Sequence, residues 1–425
     1  MIDTISTCRG CGSQDLTEVL DLGIQPLSRF PSSGDDPVLK APLVLLICRY
    51  CSLVQLAHTV SPDELYREYY YRSGATSTMR RQLKGILRKT LEFVRLLPAD
   101  CVLDIGCNDG TLLGLYQDDD IPRVIRVGFE PCSEILAEAI GSGSIDIPHP
   151  ELFSAARYRE SGRRARVITA ISMFYDLNQP IEFLREVASC LEDDGVLAIQ
   201  VNYLYDMLEK NSFDCISHEH LCYYSFTTLR EMLLIAGLEV VYAERNDVNG
   251  SGILVIACRK EYAPKVPSPF SPEVLLEWEK AKDLRSELGK FSTSIRKIKG
   301  VVGSYIGYNL SLGRKLYLLG ASTRGLVVVK YCGMSCKNIL GASERSRQKV
   351  GRFYSDTGIR CVEEEVAREV ADVLIALPWQ FRDEILQREI DFLARGGRVF
   401  FPLPWPEEFS MVESQTHQLL AGRPL

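Results

Sequence analysis

Apolar residues in this chain fall into short runs separated by glycine-bearing turns and amphipathic stretches, a spacing that predicts alternating strands and helices. Residues 101–105 form one such run; it enters Gly106-Cys107-Asn108-Asp109-Gly110, and a helix is predicted from near Leu112. A second strand at 127–129 ends in Glu130-Pro131. Residues 165–170 read as strand and 181–191 as helix, after which Asp193-Asp194-Gly195 turns into a strand at 196–201, with 252–258 as a closing strand. Such βα repetition predicts a parallel sheet with a cleft at its strand carboxyl ends. Residues 62–89 are largely helical, with Leu65, Tyr66, Tyr69 and Tyr70 at helical spacing before Ser73-Gly74 interrupts. A proline-rich break at 264–272 reads as a linker, and the charged stretch from Glu273 to about Gly300, which holds Glu277 and Glu279, reads as a solvated helix. A second βα alternation follows, beginning with a strand at 315–319.

Three folding units are expected of 425 residues, divided as 1–60, 61–262 and 263–425. Apolar residues at 46% and charged residues at 25% fit an ordinary globular protein and exclude a disordered or coiled-coil chain. The net charge of −7 argues against nucleic acid or an anionic membrane as the main partner. Neither a membrane-spanning run nor a secretory signal is apparent, so a cytoplasmic protein is expected. The sequence leaves the oligomeric state open and is compatible with a monomer.

Fourteen cysteines are too sparse for a disulfide scaffold, but four stand in two C-x-x-C pairs, Cys8/Cys11 and Cys48/Cys51. Four thiolates close a tetrahedral structural Zn²⁺ site, whereas a catalytic zinc keeps one position open for water. The 36 intervening residues exceed the usual ribbon spacing and imply an inserted excursion, in which 22–27 and 31–34 read as loop.

The turn after the first central strand carries Asp104 and Asp109, with no lysine for a phosphate. Its negative charge suits a ligand bearing an ammonium or sulfonium, and Glu130 about twenty residues on is placed to hold ribose hydroxyls. This arrangement resembles the way Rossmann-like methyltransferases hold S-adenosylmethionine. The cofactor candidates are Tyr71, Ser73, Asp104, Gly106, Cys107, Asn108, Asp109, Glu130 and Pro131, although the tyrosine-rich stretch around Tyr71 reads equally as a core stripe. Two of the chain's five histidines flank a carboxylate in His218-Glu219-His220. A side chain titrating near neutrality can take a proton at physiological pH, and a neighbouring carboxylate can orient it.

Taken together, the cysteine pairs, Val102-Leu103-Asp104-Ile105-Gly106-Cys107-Asn108-Asp109-Gly110, Glu219-His220-Leu221 with Tyr224-Ser225, and Asn246-Asp247-Val248-Asn249-Gly250 resemble the nucleotide-diphosphate-sugar C-methyltransferases of deoxysugar and antibiotic biosynthesis. The carbon-3 methyltransferases of dTDP-4-keto sugars typify them. The resemblance implies an α/β protein with a small zinc-binding N-terminal module, a central Rossmann-like class I methyltransferase domain and a C-terminal Rossmann-like domain. It implies S-adenosylmethionine as cofactor, a nucleotide sugar as substrate and His220 as base, with Tyr224, His218 or an asparagine of the Asn246/Asn249 turn holding the enolate oxygen. Two positions depart from the carbon-3 enzymes: Ser217 stands where a tyrosine is common, and Asp176 near where a histidine is. Methylation at oxygen or nitrogen, and an inactive subunit of this fold, are the alternatives.

In the last third, Gly320-Ala321-Ser322-Thr323-Arg324-Gly325 is a dinucleotide-like turn with Ser322 at the central glycine, and Glu344 lies 19 residues beyond Gly325. The substitution weakens an NAD reading. The resemblance makes this a domain facing the nucleotide sugar, with Asn246, Asn249, Ser322, Arg324, Glu344 and Arg382 as substrate candidates.

Overall fold

The computed structural model describes residues 2–66, 71–263 and 272–411. Tyr69, Tyr70 and nearly all of the expected linker at 264–272 lie outside these residues. The chain divides into two compact units: Met1–Thr17, Leu46–Tyr205 and Glu219–Asp283 form the first, and Glu18–Leu45, Asp206–His218 and Leu284–Leu425 the second.

The first unit is built on a seven-stranded sheet of β1 (Cys101–Ile105), β2 (Ile125–Phe129), β3 (Ile147–His149), β4 (Ala165–Ile171), β5 (Leu191–Val201), β6 (Leu238–Asn246) and β7 (Gly252–Arg259). Its order is β3-β2-β1-β4-β5-β7-β6. All five residues of β1 are buried, as expected of a central parallel strand covered on both faces. The first five strands in that order are parallel, and the strand expected at 252–258 is present as β7, but it runs antiparallel between β5 and β6 rather than closing the sheet in parallel. The cause is the short 247–251 connection, which permits only a hairpin and puts β6 on the edge. The expected turn at 193–195 is a register slip within β5. Helix Ser77–Leu91, capped by the Thr76 hydroxyl accepting from the Met79 N–H at 3.1 Å, packs Leu83, Ile86 and Leu87 onto Val102, Val167, Val196 and Ile256 of the sheet.

The charged stretch after Glu273 is not one solvated helix. Helix Pro272–Lys280 belongs to the first unit, and helix Leu284–Ser311 opens the last segment of the second. Glu279 is 4% exposed because it accepts from the Tyr203 hydroxyl (2.7 Å), the Phe226 and Thr227 N–H groups (2.7 and 2.8 Å) and the Thr227 hydroxyl (2.5 Å). It thereby closes the amino end of helix Phe226–Ile235.

The second unit has a six-stranded sheet in the order Cys361–Glu363, Gly341–Glu344, Leu316–Leu319, Val373–Ala376, Arg398–Phe401 and Glu407–Phe409, parallel except for the last strand. Leu288, Phe291, Ile295, Ile298, Val302 and Ile306 form the buried stripe of helix Leu284–Ser311. The excursion between the cysteine pairs joins this unit: Phe30 is buried and stacked on Tyr354 at 5.7 Å, and the Ser355 hydroxyl donates to the Leu27 carbonyl at 2.5 Å. Part of it, read as loop at 22–27, is instead strand Leu16–Pro26; Leu20 and Leu22 alternate inward until Gly23, in the left-handed region at φ 76°, breaks the alternation. Among the described residues no helix is long and apolar enough to cross a membrane.

Candidate functional site

The sulfurs of Cys8, Cys11, Cys48 and Cys51 all lie within 4.8 Å of one another. A tetrahedral zinc with bonds of about 2.3 Å would set them about 3.8 Å apart, and the Cys8–Cys51 and Cys11–Cys48 separations are both 3.6 Å. Each pair sits in a tight turn. Gly12 (φ 76°) returns its N–H to the Cys8 carbonyl, and Ser52 (φ 63°) returns its own to that of Cys48. The Gly10 N–H and the Gln55 amide point at the Cys8 sulfur at 3.4 and 3.1 Å, which suits a thiolate. Donor type, number and spacing therefore fit a structural zinc.

At the carboxyl end of β1 the chain passes through Gly106 (φ 72°), Asn108 (φ 51°) and Gly110 (φ 74°). A Cβ on Gly106 would stand 3.2 Å from the Met173 side chain, so this glycine allows the turn to approach the segment after β4. Asp104 is buried, accepts from the Thr169 hydroxyl at 2.6 Å, and has its pKa pushed up to about 7 by burial, which that hydrogen bond opposes. Glu130 ends β2 with its oxygens held by the Cys132 N–H (2.9 Å) and the Asn108 N–H (3.1 Å); burial raises its pKa and these donors oppose the rise. Asn108 and Asp109 accept from the Ser73 and Gly74 N–H groups at 2.9 and 2.8 Å, folding the segment after the exposed Tyr71 onto the turn. Asp109 also accepts from the Thr111 hydroxyl at 2.6 Å. The Cys107 side chain faces the core, and Pro131 is half-buried beside Glu130.

The Tyr175 ring meets the half-buried His220 ring, centroids 4.3 Å apart, and Phe174 stacks on the fully buried Tyr224 at 5.1 Å. Residues 173–175 thus touch the glycine turn through Met173 and the histidine loop through Tyr175 and Phe174. Asp176 closes the same short helical turn, and Glu219 is half-buried next to His220. Burial drives the Tyr224 phenol well above its ordinary pKa. His218 lies in the second unit, where its Nε2 meets the Ala41 carbonyl at 3.1 Å, a contact only a donating ring nitrogen can make. Asn246 is engaged in a reciprocal amide pair with Gln200 at 2.8 and 3.0 Å, while Asn249, at φ 54°, points its amide to the Ser172 hydroxyl at 3.5 Å.

In the second unit, the Ser322 hydroxyl accepts from the Gly325 N–H at 2.9 Å and its carbonyl from the Tyr354 hydroxyl. Glu344 accepts from the N–H groups of Ala321, Arg345 and Ser346 and lies 3.4 Å from the Lys349 ammonium. Arg324 pairs at 2.8 Å with the buried Asp214, whose same oxygen accepts from Trp379 and Gln380. Arg382 is exposed and pairs with Glu407 at 3.0 Å. Sequence reasoning missed Thr169, Met173 and Arg9; only Arg9, lying between two metal-spaced cysteines, carried a signal that could have marked it.

The strand order, the glycine turn with its buried acid, and the glutamate closing the second strand define a class I S-adenosylmethionine-dependent methyltransferase. Three family models match the chain in succession: "Putative zinc binding domain" over residues 8–66, "Methyltransferase domain" over 77–243, and "C-methyltransferase C-terminal domain" over 247–404. The protein is an S-adenosylmethionine-dependent C-methyltransferase similar to the C-methyltransferase NovU of Streptomyces niveus, with 28% identity over 419 residues, 96% of this chain and 98% of that protein. Solved structures that resemble part of it include an S-adenosylmethionine-dependent methyltransferase from Clostridium acetobutylicum ATCC 824 (12% identical, covering 46% of this chain and 95% of that one, TM-score 0.34). Another is the magnesium protoporphyrin IX methyltransferase ChlM from Synechocystis PCC 6803 with bound SAH (11% identical, covering 45% and 91%, TM-score 0.35).

Proposed function

We propose that this enzyme methylates carbon next to the ketone of a nucleotide-linked keto-deoxysugar, with His220 removing the proton. The observation that carries this reading is the 173–175 segment, which touches the Gly106 turn at one end and the His220 ring at the other within one unit. Bound S-adenosylmethionine supplies an electrophilic methyl on a sulfonium; Asp104, Glu130 and the Gly106–Gly110 turn are the groups suited to hold it. His220 takes the carbon-bound proton, leaving an enolate whose α-carbon is nucleophilic. The Tyr175 ring limits the orientations of the imidazole and shields one side of it from water. The nucleotide-sugar acceptor rests on the resemblance of the whole chain to sugar C-methyltransferases.

The test is His220→Asn, assayed for methyl transfer and for solvent deuterium entering the carbon next to the ketone of a nucleotide-linked 4-keto-6-deoxyhexose. Turnover and deuterium entry should both fall at least about 100-fold, the usual worth of a general base, while S-adenosylmethionine binding by calorimetry is retained. Deuterium entry at the wild-type rate in the variant would remove His220 as base. Methyl transfer by the wild type with the carbon-bound proton next to the ketone retained in the product would move the product to oxygen or nitrogen.

A further inference from the structure

Arg9 stands between the two cysteines of the first pair, yet its side chain leaves the metal. Its Nε donates to Asn178 Oδ1 at 3.0 Å, one terminal nitrogen donates to the Leu56 carbonyl at 2.5 Å, and the other to the Thr59 hydroxyl at 2.7 Å. Its backbone N–H donates to Gln55 Oε1 at 3.0 Å, and the other end of that same amide donates to the Cys8 sulfur. These partners belong to two segments that flank His220. Gln55 and Leu56 lie on strand Val54–Leu56, which pairs antiparallel with Cys222–Tyr223, and the Leu56 N–H donates to the Leu221 carbonyl at 2.9 Å. Asn178 lies just beyond Phe174–Asp176, the turn whose Tyr175 ring rests on His220. The guanidinium also lies within electrostatic reach of Tyr223, Tyr224 and Cys222. All of these residues are in the first unit.

We propose that Arg9 is a positioning residue: seated by the metal knuckle, it clamps the 175–178 turn to the strand beside His220 and so fixes the base imidazole. Its planar fork gives three donors in fixed directions, each met by an acceptor. A lysine has one mobile ammonium and cannot serve all three in this geometry. The cysteine cluster then does more than staple the amino end, because the orientation of the base depends on it. The inference rests on the reading of His220 as base for its catalytic meaning, but not for the clamp itself.

The experiment uses the full zinc-loaded chain with ¹³C-labelled histidine, the His220 signal being assigned by its loss in His220→Asn. Arg9→Met should keep one zinc and wild-type S-adenosylmethionine binding, yet displace the His220 signal about as far as Tyr175→Leu, which removes the ring current; the His149 signal should stay. Asn178→Ala, which leaves the knuckle untouched, should displace the same signal, and Arg9→Lys should restore it in part. With a nucleotide-linked 4-keto-6-deoxyhexose, kcat of Arg9→Met should fall about 100-fold with little change in KM for S-adenosylmethionine, the scale of a 1 Å misplacement. An unmoved His220 signal in zinc-bearing Arg9→Met overturns the clamp. Should Arg9→Met lose its metal, Asn178→Ala decides: a displaced signal with zinc retained supports the proposal, and an unmoved one ends it. Wild-type deuterium entry in His220→Asn would refute the base assignment while the signal displacement could still stand, so the two failures are distinguishable.

Discussion

Removing the Glu279 carboxylate is the sharpest test of how the first unit holds together. In Glu279→Ala, the Tyr203 hydroxyl and the Phe226 N–H lose their acceptor in a region where both residues are fully buried. Each buried donor left unsatisfied costs about 1–3 kcal/mol, so the pair costs about 4 kcal/mol. The Thr227 donors lie nearer solvent and add less, and the Ser225 hydroxyl still accepts from the Thr228 N–H at 3.1 Å. At about 2–4 °C per kcal/mol for a unit of this size, calorimetric unfolding should move down by about 8–16 °C. Glu279→Gln keeps one acceptor oxygen for Phe226 and Tyr203 but turns an NH₂ toward the Thr227 N–H, and about 1–2 kcal/mol of loss is expected. The order alanine, glutamine, wild type should appear in the first unit's transition. A Glu279→Ala midpoint within about 2 °C of wild type would refute the reasoning, because a solvated glutamate gives that result.

Two further outcomes follow from the sites. With Asp104 pushed up to about 7 by burial, the carboxylate suited to a cationic ligand forms only as pH rises through that value, so S-adenosylmethionine affinity measured by calorimetry should rise about 10-fold from pH 6 to pH 8. The free protein should move the other way: its folded state holds a proton that the unfolded chain has lost, so stability falls as pH rises from about 4 toward 7, and Asp104→Asn should flatten both profiles. An unchanged pH slope in Asp104→Asn would assign the effect to another group. Cys48→Ser should take metal content from one zinc per chain to near none and expose residues 8–66 to protease; full zinc retention in the variant would show that the Cys48 thiolate is not a ligand.

Sequence revealed what short-range spacing determines. Two cysteines three apart make a knuckle by themselves, and a buried run entering Gly106 and Gly110 has few other foldings, so the metal cluster and the glycine turn were legible. Glu279 was not, because its value lies in donors from residues 203, 226 and 227, and a run of charges at helical spacing looks the same whether one of them is buried or none. The stretch between Cys11 and Cys48 was legible as an insert, but not that its residues 18–45 belong to the second unit, since the stack of Phe30 on Tyr354 spans more than three hundred residues of chain. Arg324 and Arg382 were equivalent candidates in sequence; the structure gives one a buried aspartate and the other, itself exposed, a half-buried glutamate.

The acids of the first unit make the same point chemically. Asp104, Glu130 and Glu279 are all buried, and what distinguishes them is how many donors the fold brings to each. Asp104 receives one hydroxyl and has its pKa lifted to about 7; Glu130 receives two backbone N–H groups, which oppose the lift that burial imposes. Glu279 receives four donors and serves as a fixed anion at a helix start. A carboxylate whose hydrogen-bonding capacity is filled by the protein is a structural part, and one left short of donors is open to a ligand. By that criterion Asp104 is where a cation entering the first unit gains most, since its arrival replaces the missing donors and lets the proton leave.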